Sequence, residues 1–84
     1  MATEVTVPRL GEEMSSAVLI QWLVAEGDRV SRGDPIYELD TDKVTQEVEA
    51  EADGVVLRIV GRPGEEYPVG ATLAWIGQPG EAAG

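Results

Sequence analysis

Short apolar segments bounded by glycine or proline recur along the whole chain. Thr3–Val7 alternates polar and apolar residues and predicts a first strand, closed by Pro8. Leu10–Ser16 reads as a loop carrying Glu12 and Glu13. Val18–Val24 is strongly apolar, which predicts a strand buried on much of both faces. The turn Glu26-Gly27-Asp28, the isolated apolar Val30 and the turn Arg32-Gly33-Asp34-Pro35 follow, and Ile36–Leu39 is the next strand. Val44–Glu49 alternates again, with Glu47, Glu49 and Glu51 on one face and Val44 and Val48 in the other register. Val55–Val60 repeats the character of Val18–Val24. Pro63-Gly64-Glu65 turns, Tyr67 anchors, Val69-Gly70-Ala71 turns again, and Thr72–Ile76 is the last strand.

These correspondences share one offset. Sliding the sequence by 37 residues lays Ala17–Asp40 over Gly54–Gly77 without a gap. Val18, Gly27 and Gly33 fall on Val55, Gly64 and Gly70, and the apolar columns around them match: Leu19 on Val56, Val30 on Tyr67, Ile36 on Leu73, Leu39 on Ile76. Two of the three identities are turn glycines, where only glycine takes a positive φ cheaply. The chain therefore reads as two similar half-domains. Neither half is expected to bury its apolar face alone, so the halves should pack together as two small sheets.

Composition narrows the class. The chain has 84 residues, enough for one small domain, and contains no cysteine and no histidine. Disulfides, thiolate metal sites and a histidine base are thereby excluded. The core must come from valine, leucine and isoleucine with Trp22, Trp75, Tyr37 and Tyr67, a β-branched bias that favours strands. A formal net charge of −10 argues against nucleic acid or an anionic membrane as partner. No apolar run approaches the ~20 residues of a membrane span, and Met1–Pro8 lacks the pattern of a signal peptide, so a cytoplasmic location is the expectation.

One residue stands apart. Lys43 is the only lysine, and the acidic residues Glu38, Asp40 and Asp42 precede it. It falls where the first copy ends and the second begins, so the chain should reverse there and project an amine at a hairpin tip. Asp-Lys is not the Asn-Gly or Asp-Gly pair favoured in two-residue hairpins, although aspartate supports turns through its side chain. The neighbouring carboxylates favour the charged ammonium, which disfavours Schiff-base catalysis. No nucleophile–base set can be assembled, so the chain alone is not expected to be an enzyme. What remains is a solvated tip charge or a lysine offered to another protein.

The segment Glu38-Leu39-Asp40-Thr41-Asp42-Lys43-Val44, with Gly27-Asp28 and Gly33-Asp34 before it and Asp53-Gly54-Val55 after it, resembles the lipoyl domain of 2-oxo acid dehydrogenase complexes. The resemblance covers Thr3–Gly77. It implies an all-β flattened barrel, a barrel-sandwich hybrid of two four-stranded antiparallel sheets related by a pseudo-twofold. Residues 1–77 would be the lipoyl domain, and the Gly/Ala-rich residues 78–84 the start of a flexible linker. The lysine matching Lys43 carries lipoic acid in amide linkage in that family. Asp42, Val44, Glu12 and Glu13 would then serve recognition by the ligase and partners, and Gly27, Gly33, Gly54, Gly64 and Gly70 would be structural turns. The implied partners are a lipoate ligase or lipoyl transferase, a thiamine-diphosphate 2-oxo acid decarboxylase, an acyltransferase core carried on the same full-length chain, and a dihydrolipoyl dehydrogenase. The isolated domain would be a monomer, in the bacterial cytoplasm or the mitochondrial matrix.

Val44 departs from the alanine of many members, which bears on partner preference. A biotin carrier domain shares the fold but flanks its lysine with methionines, unlike Asp42 and Val44. An unmodified adaptor module would not need the sole lysine at a tip. Arg32-Gly33-Asp34 spells an adhesion tripeptide, but its repeat counterpart Val69-Gly70-Ala71 marks Gly33 as a turn glycine.

Overall fold

The computed structural model describes residues 2–41 and 44–81. Their secondary structure is eight strands: β1 (Thr3–Thr6), β2 (Ser16–Trp22), β3 (Arg29–Val30), β4 (Pro35–Asp40), β5 (Thr45–Glu49), β6 (Gly54–Ile59), β7 (Glu66–Pro68) and β8 (Thr72–Gly77). Two antiparallel four-stranded sheets result, ordered β1-β8-β6-β3 and β5-β4-β2-β7. The isolated apolar residues Val30 and Tyr67 thus lie on the two shortest strands.

Exchanging β1 with β5, β2 with β6, β3 with β7 and β4 with β8 converts one sheet order into the other. The register obeys the same exchange. Leu19 faces Leu39 and Gln21 faces Glu38 in one sheet, while Val56 faces Ile76 and Arg58 faces Trp75 in the other, each residue shifted by 37. Even the irregularity is duplicated, with one bulge between Leu19 and Gln21 and the other between Val56 and Arg58. Backbone bonds follow suit: the amide of Gly27 donates to the carbonyl of Val56 at 2.8 Å, and that of Gly64 to the carbonyl of Leu19 at 2.7 Å.

Both sheets are composite, a point the repeat alone did not show. The first sheet takes β1 and β3 from the first half and β6 and β8 from the second, and the other sheet does the reverse. Each half lends two short strands to its twin, so neither half owns a complete sheet. Between the sheets lies one core of Val7, Ala17, Leu19, Val30, Ile36, Tyr37, Leu39, Ala50, Val56, Leu73 and Ile76. Apolar area removed from water at ~25 cal/mol per Å² is what holds such a pair of sheets together.

The expectation that Val18–Val24 is a strand buried on much of both faces is corrected. Strand β2 runs from Ser16 to Trp22, and only Ala17 and Leu19 in it are fully buried. The bulge turns Ile20 outward to 37% exposure, and Leu23, beyond the strand, is 39% exposed. Trp22 is half-buried against the core: its indole N–H donates to the carbonyl of Gly61 at 3.0 Å, and its ring meets Tyr37 at 5.2 Å between centroids. Trp75 takes its place in the other sheet between Glu4 and Arg58.

Four of the turn glycines in the left-handed region, Gly27 (φ 93°), Gly33 (φ 96°), Gly64 (φ 90°) and Gly70 (φ 91°), form two twofold-related pairs. Gly54 serves another purpose. It is the first residue of β6, not a turn, and a Cβ there would lie 2.6 Å from the carbonyl oxygen of Gly77. Its small size lets β6 approach the end of β8.

Candidate functional site

Strands β4 and β5 bring the middle of the chain back on itself. Pro35, Tyr37, Glu38, Leu39 and Asp40 of β4 pair with Glu49, Val48, Glu47, Gln46 and Thr45 of β5. Ile36, Tyr37 and Leu39 anchor β4 in the core, while β5 is an edge strand holding on through Val48. The hairpin therefore joins a core-anchored strand, β4, to one at the sheet margin, β5.

Side chains close the hairpin. The Thr45 hydroxyl donates to Asp40 Oδ1 at 3.2 Å across the last strand pair. Above it, the amide of Thr41 donates to the carbonyl of Val44 at 2.9 Å. The Thr41 hydroxyl donates to that same carbonyl at 3.1 Å and accepts the Val44 amide at 3.3 Å. Only two residues, Asp42 and Lys43, separate Thr41 from Val44 in the chain, and both lie outside the described residues. Val44 is 48% exposed, a valine side chain presented to solvent beside the lysine in sequence.

The loop between β1 and β2 lies next to this hairpin. Both line an open groove of about 1000 Å³, to which Glu12, Glu13 and Met14 contribute from the loop and Asp40, Thr41 and Val44 from the hairpin. The loop has an internal frame: Arg9 Nη1 donates to the carbonyls of Glu12 (3.3 Å) and Met14 (2.7 Å), and the amide of Leu10 points at Met14 Sδ at 3.2 Å. Glu12 and Glu13 are exposed. Two of the recognition candidates, Glu12 and Glu13, therefore share a surface with a third, Val44. Sequence reasoning passed over Arg9 and Thr41, whose hydrogen-bonding groups brace loop and hairpin; a hydroxyl next to a two-residue turn was the available signal for Thr41.

The turn at Gly33 is shaped by carboxylates. Asp34 Oδ2 accepts the Ser31 amide at 2.8 Å, so the carboxylate is engaged in shaping its own turn, and the Arg32 amide donates to Asp53 Oδ1 at 2.6 Å. At the other end of the chain, Gln78 and Glu81 form a further turn, the Glu81 amide donating to the Gln78 carbonyl at 3.0 Å.

Comparison with known proteins agrees with this geometry. The family described as biotin-requiring enzyme, the biotin/lipoyl family, matches residues 3–76. The acetyltransferase component of the pyruvate dehydrogenase complex of Rhizobium meliloti is 44% identical over 82 residues, covering 96% of this chain and 18% of that protein. The acetyltransferase component of an acetoin cleaving system from Pseudomonas putida is 41% identical over 71 residues, covering 84% of this chain and 19% of that protein. Among solved structures, the lipoyl domain of the 2-oxoglutarate dehydrogenase complex from Azotobacter vinelandii superimposes with a TM-score of 0.73 at 32% identity, covering 92% of this chain and 98% of that one. The chain spans about a fifth of the length of these two curated relatives.

Proposed function

We propose, on the premise that this chain belongs to the biotin/lipoyl family and is a lipoyl domain within it, that Lys43 is the residue that carries lipoate. The domain is a carrier and not a catalyst. One observation carries the assignment to Lys43: the sole lysine of the sequence falls in the two-residue connection of a hairpin whose flanks, Thr41 and Val44, are hydrogen-bonded to each other.

The residues present fit the group. An amide to lipoate needs a primary amine, and Lys43 offers the only one among the side chains. Acylation by a lipoyl carboxyl activated with ATP would form the amide C–N bond as the bond to the activating group breaks, exchanging an ammonium for a neutral amide with its protons lost to solvent. Bound there, lipoate supplies a dithiolane that takes up an acyl group with two electrons and yields both elsewhere. The protein's share is position. Strand β4, rooted in the core by Ile36 and Leu39, holds the attachment point on a firm base, and tethering raises the arm's effective concentration at each site it visits.

The partners in this reading are a lipoate ligase or lipoyl transferase, a thiamine-diphosphate 2-oxo acid decarboxylase, an acyltransferase core, present on the same longer chain, and a dihydrolipoyl dehydrogenase. Residues 78–84 begin a linker towards that core, and the setting is the bacterial cytoplasm. Asp42 and Val44 serve the ligase, and Glu12 and Glu13, at the groove beside the hairpin, serve the choice of decarboxylase. The relatives' names span pyruvate, acetoin and 2-oxoglutarate systems, and in this reading the partner enzyme sets the substrate.

Intact-mass measurement after incubation with lipoate, ATP and a lipoate ligase tests the assignment. The wild-type chain gains one lipoyl group and Lys43→Arg gains none. Labelling by a biotin ligase in place of the lipoate enzyme would move the assignment to the biotin branch. Reversing charge at Glu12 and Glu13 together lowers reductive acylation by the decarboxylase while leaving ligase loading intact.

A further inference from the structure

A two-residue hairpin is ordinarily eased by glycine or asparagine at its central positions, because the favoured turns need φ > 0 there. Asp42-Lys43 supplies neither. The closing pair shows what stands in. The Thr41 amide reaches the Val44 carbonyl at 2.9 Å, whereas the Val44 amide donates to the Thr41 hydroxyl at 3.3 Å. The same hydroxyl returns a bond to the Val44 carbonyl at 3.1 Å. One side-chain oxygen thus engages both backbone groups of Val44.

We propose that Thr41 is a positioning residue for loading of the carrier: its hydroxyl clasps Val44 so that the ligase meets the Asp42-Lys43 turn on a fixed base. The inference rests on the carrier reading above and names a residue that acts in it through the hairpin, not by touching the reacting amine. Without the clasp Thr41 and Val44 lose two of their mutual bonds, and the fraction of hairpins the ligase can accept falls. Apparent affinity falls with that fraction, while turnover at saturation does not. One or two exposed hydrogen bonds of ordinary net strength correspond to a rise in KM of roughly three- to tenfold.

The experiment is steady-state lipoylation by a lipoate ligase of wild type, Thr41→Val, Thr41→Ala, Thr41→Ser and a control, Thr72→Val, with thermal unfolding of each. Thr72 also uses its hydroxyl in a cross-strand bond, to Glu4, but lies in the other sheet. The expected result is a raised KM with unchanged kcat for Thr41→Val and Thr41→Ala, restoration by Thr41→Ser, and wild-type kinetics for Thr72→Val. Amide exchange at Val44, measured by NMR, quickens in Thr41→Val and Thr41→Ala and returns to wild type in Thr41→Ser. A KM within twofold of wild type in both hydroxyl-free variants overturns the proposal, as does a fall confined to kcat. If wild type itself takes up no lipoate, the carrier reading fails and the clasp fails with it. Wild-type loading with indifferent Thr41 variants removes the clasp alone.

Discussion

The phenolic hydroxyl of Tyr37 donates to the carbonyl oxygen of Thr6 at 3.2 Å, a bond that joins β4 of one sheet to β1 of the other. The rest of the side chain is sealed, with 0% of the residue exposed. Its twofold counterpart is Ala74, so this filling of the core by a large aromatic, with Trp22 leaning on it, occurs on one side only. Burial first, and the negative charge of Glu51 second, push the phenol's pKa well above its ordinary value.

Tyr37→Phe removes the inter-sheet bond and keeps the ring, so stability at neutral pH falls by about 1 kcal/mol. The alkaline behaviour separates the two proteins further. The folded phenol is held neutral, whereas the unfolded one ionises near pH 10, so its contribution is complete below about pH 10. It is lost as pH rises above that value towards the folded pKa. Urea unfolding between pH 8 and pH 11 should show wild type losing stability faster than Tyr37→Phe at the upper end. Parallel curves would mean that the phenol is not sequestered.

Substituting alanine at two glycines separates conformational strain from collision. At Gly27 the space around an added Cβ is open, so Gly27→Ala meets only the cost of a left-handed backbone, about 1–2 kcal/mol. At Gly54 the Cβ meets the backbone oxygen of Gly77 at 2.6 Å as well as an unfavourable φ of 154°, and a backbone in mid-sheet has little room to yield. Gly54→Ala is expected to cost on the order of 3 kcal/mol or more, enough to threaten a small domain. Equal midpoints in urea for the two variants would refute the distinction.

Arg9→Ala should loosen the loop between β1 and β2 while sparing the barrel. The guanidinium spans two carbonyls of that loop, those of Glu12 and Met14, and Arg9 itself is not among the buried core residues. Amide exchange across residues 10–15 should accelerate, with global stability changed by less than about 1 kcal/mol. If Glu12 and Glu13 have the recognition role proposed above, reductive acylation of the loaded domain should weaken in step. Unaltered exchange in this loop would show that Arg9 is not its brace.

Much of this architecture could be read from residue order, and the reasons are physical. Gly27 and Gly64, or Leu39 and Ile76, occupy equivalent places because turn geometry and burial each admit few residue types, so the 37-residue offset survives in sequence. Lys43 stood out as the only lysine. The exchange of strands between halves was not legible, because β3 has two residues and β7 three, and such short pieces carry no period that names their neighbour. The outward turn of Ile20 was hidden for a related reason: a bulge breaks the alternation without changing composition. The resemblance implies a turn at Gly54, whereas Gly54 opens β6 and the residue that demands its smallness, Gly77, is 23 positions away. Arg9 was overlooked because it acts on carbonyls, which no side-chain pattern reveals.

The strand exchange has a consequence for how the molecule could be rewired. Asp40 and Thr45 flank the lysine-bearing turn, and the residues in the equivalent places are Gly77 and Ala2, where a Cβ on the former would come within 3.2 Å of the latter's Cα. The barrel thus offers two matching junctions, one bridged by the Asp42-Lys43 peptide, the other left unbridged. Splicing residue 77 to residue 2 through a short bridge and opening the chain between residues 41 and 44 would give a circularly permuted barrel with every strand beside its present neighbours. A lysine set in the new bridge would then sit at the mirror station of the old one, where Arg9, Thr41 and the groove beside them are absent. Such a permutant would separate what a ligase demands of a turn from what it demands of the landscape around it.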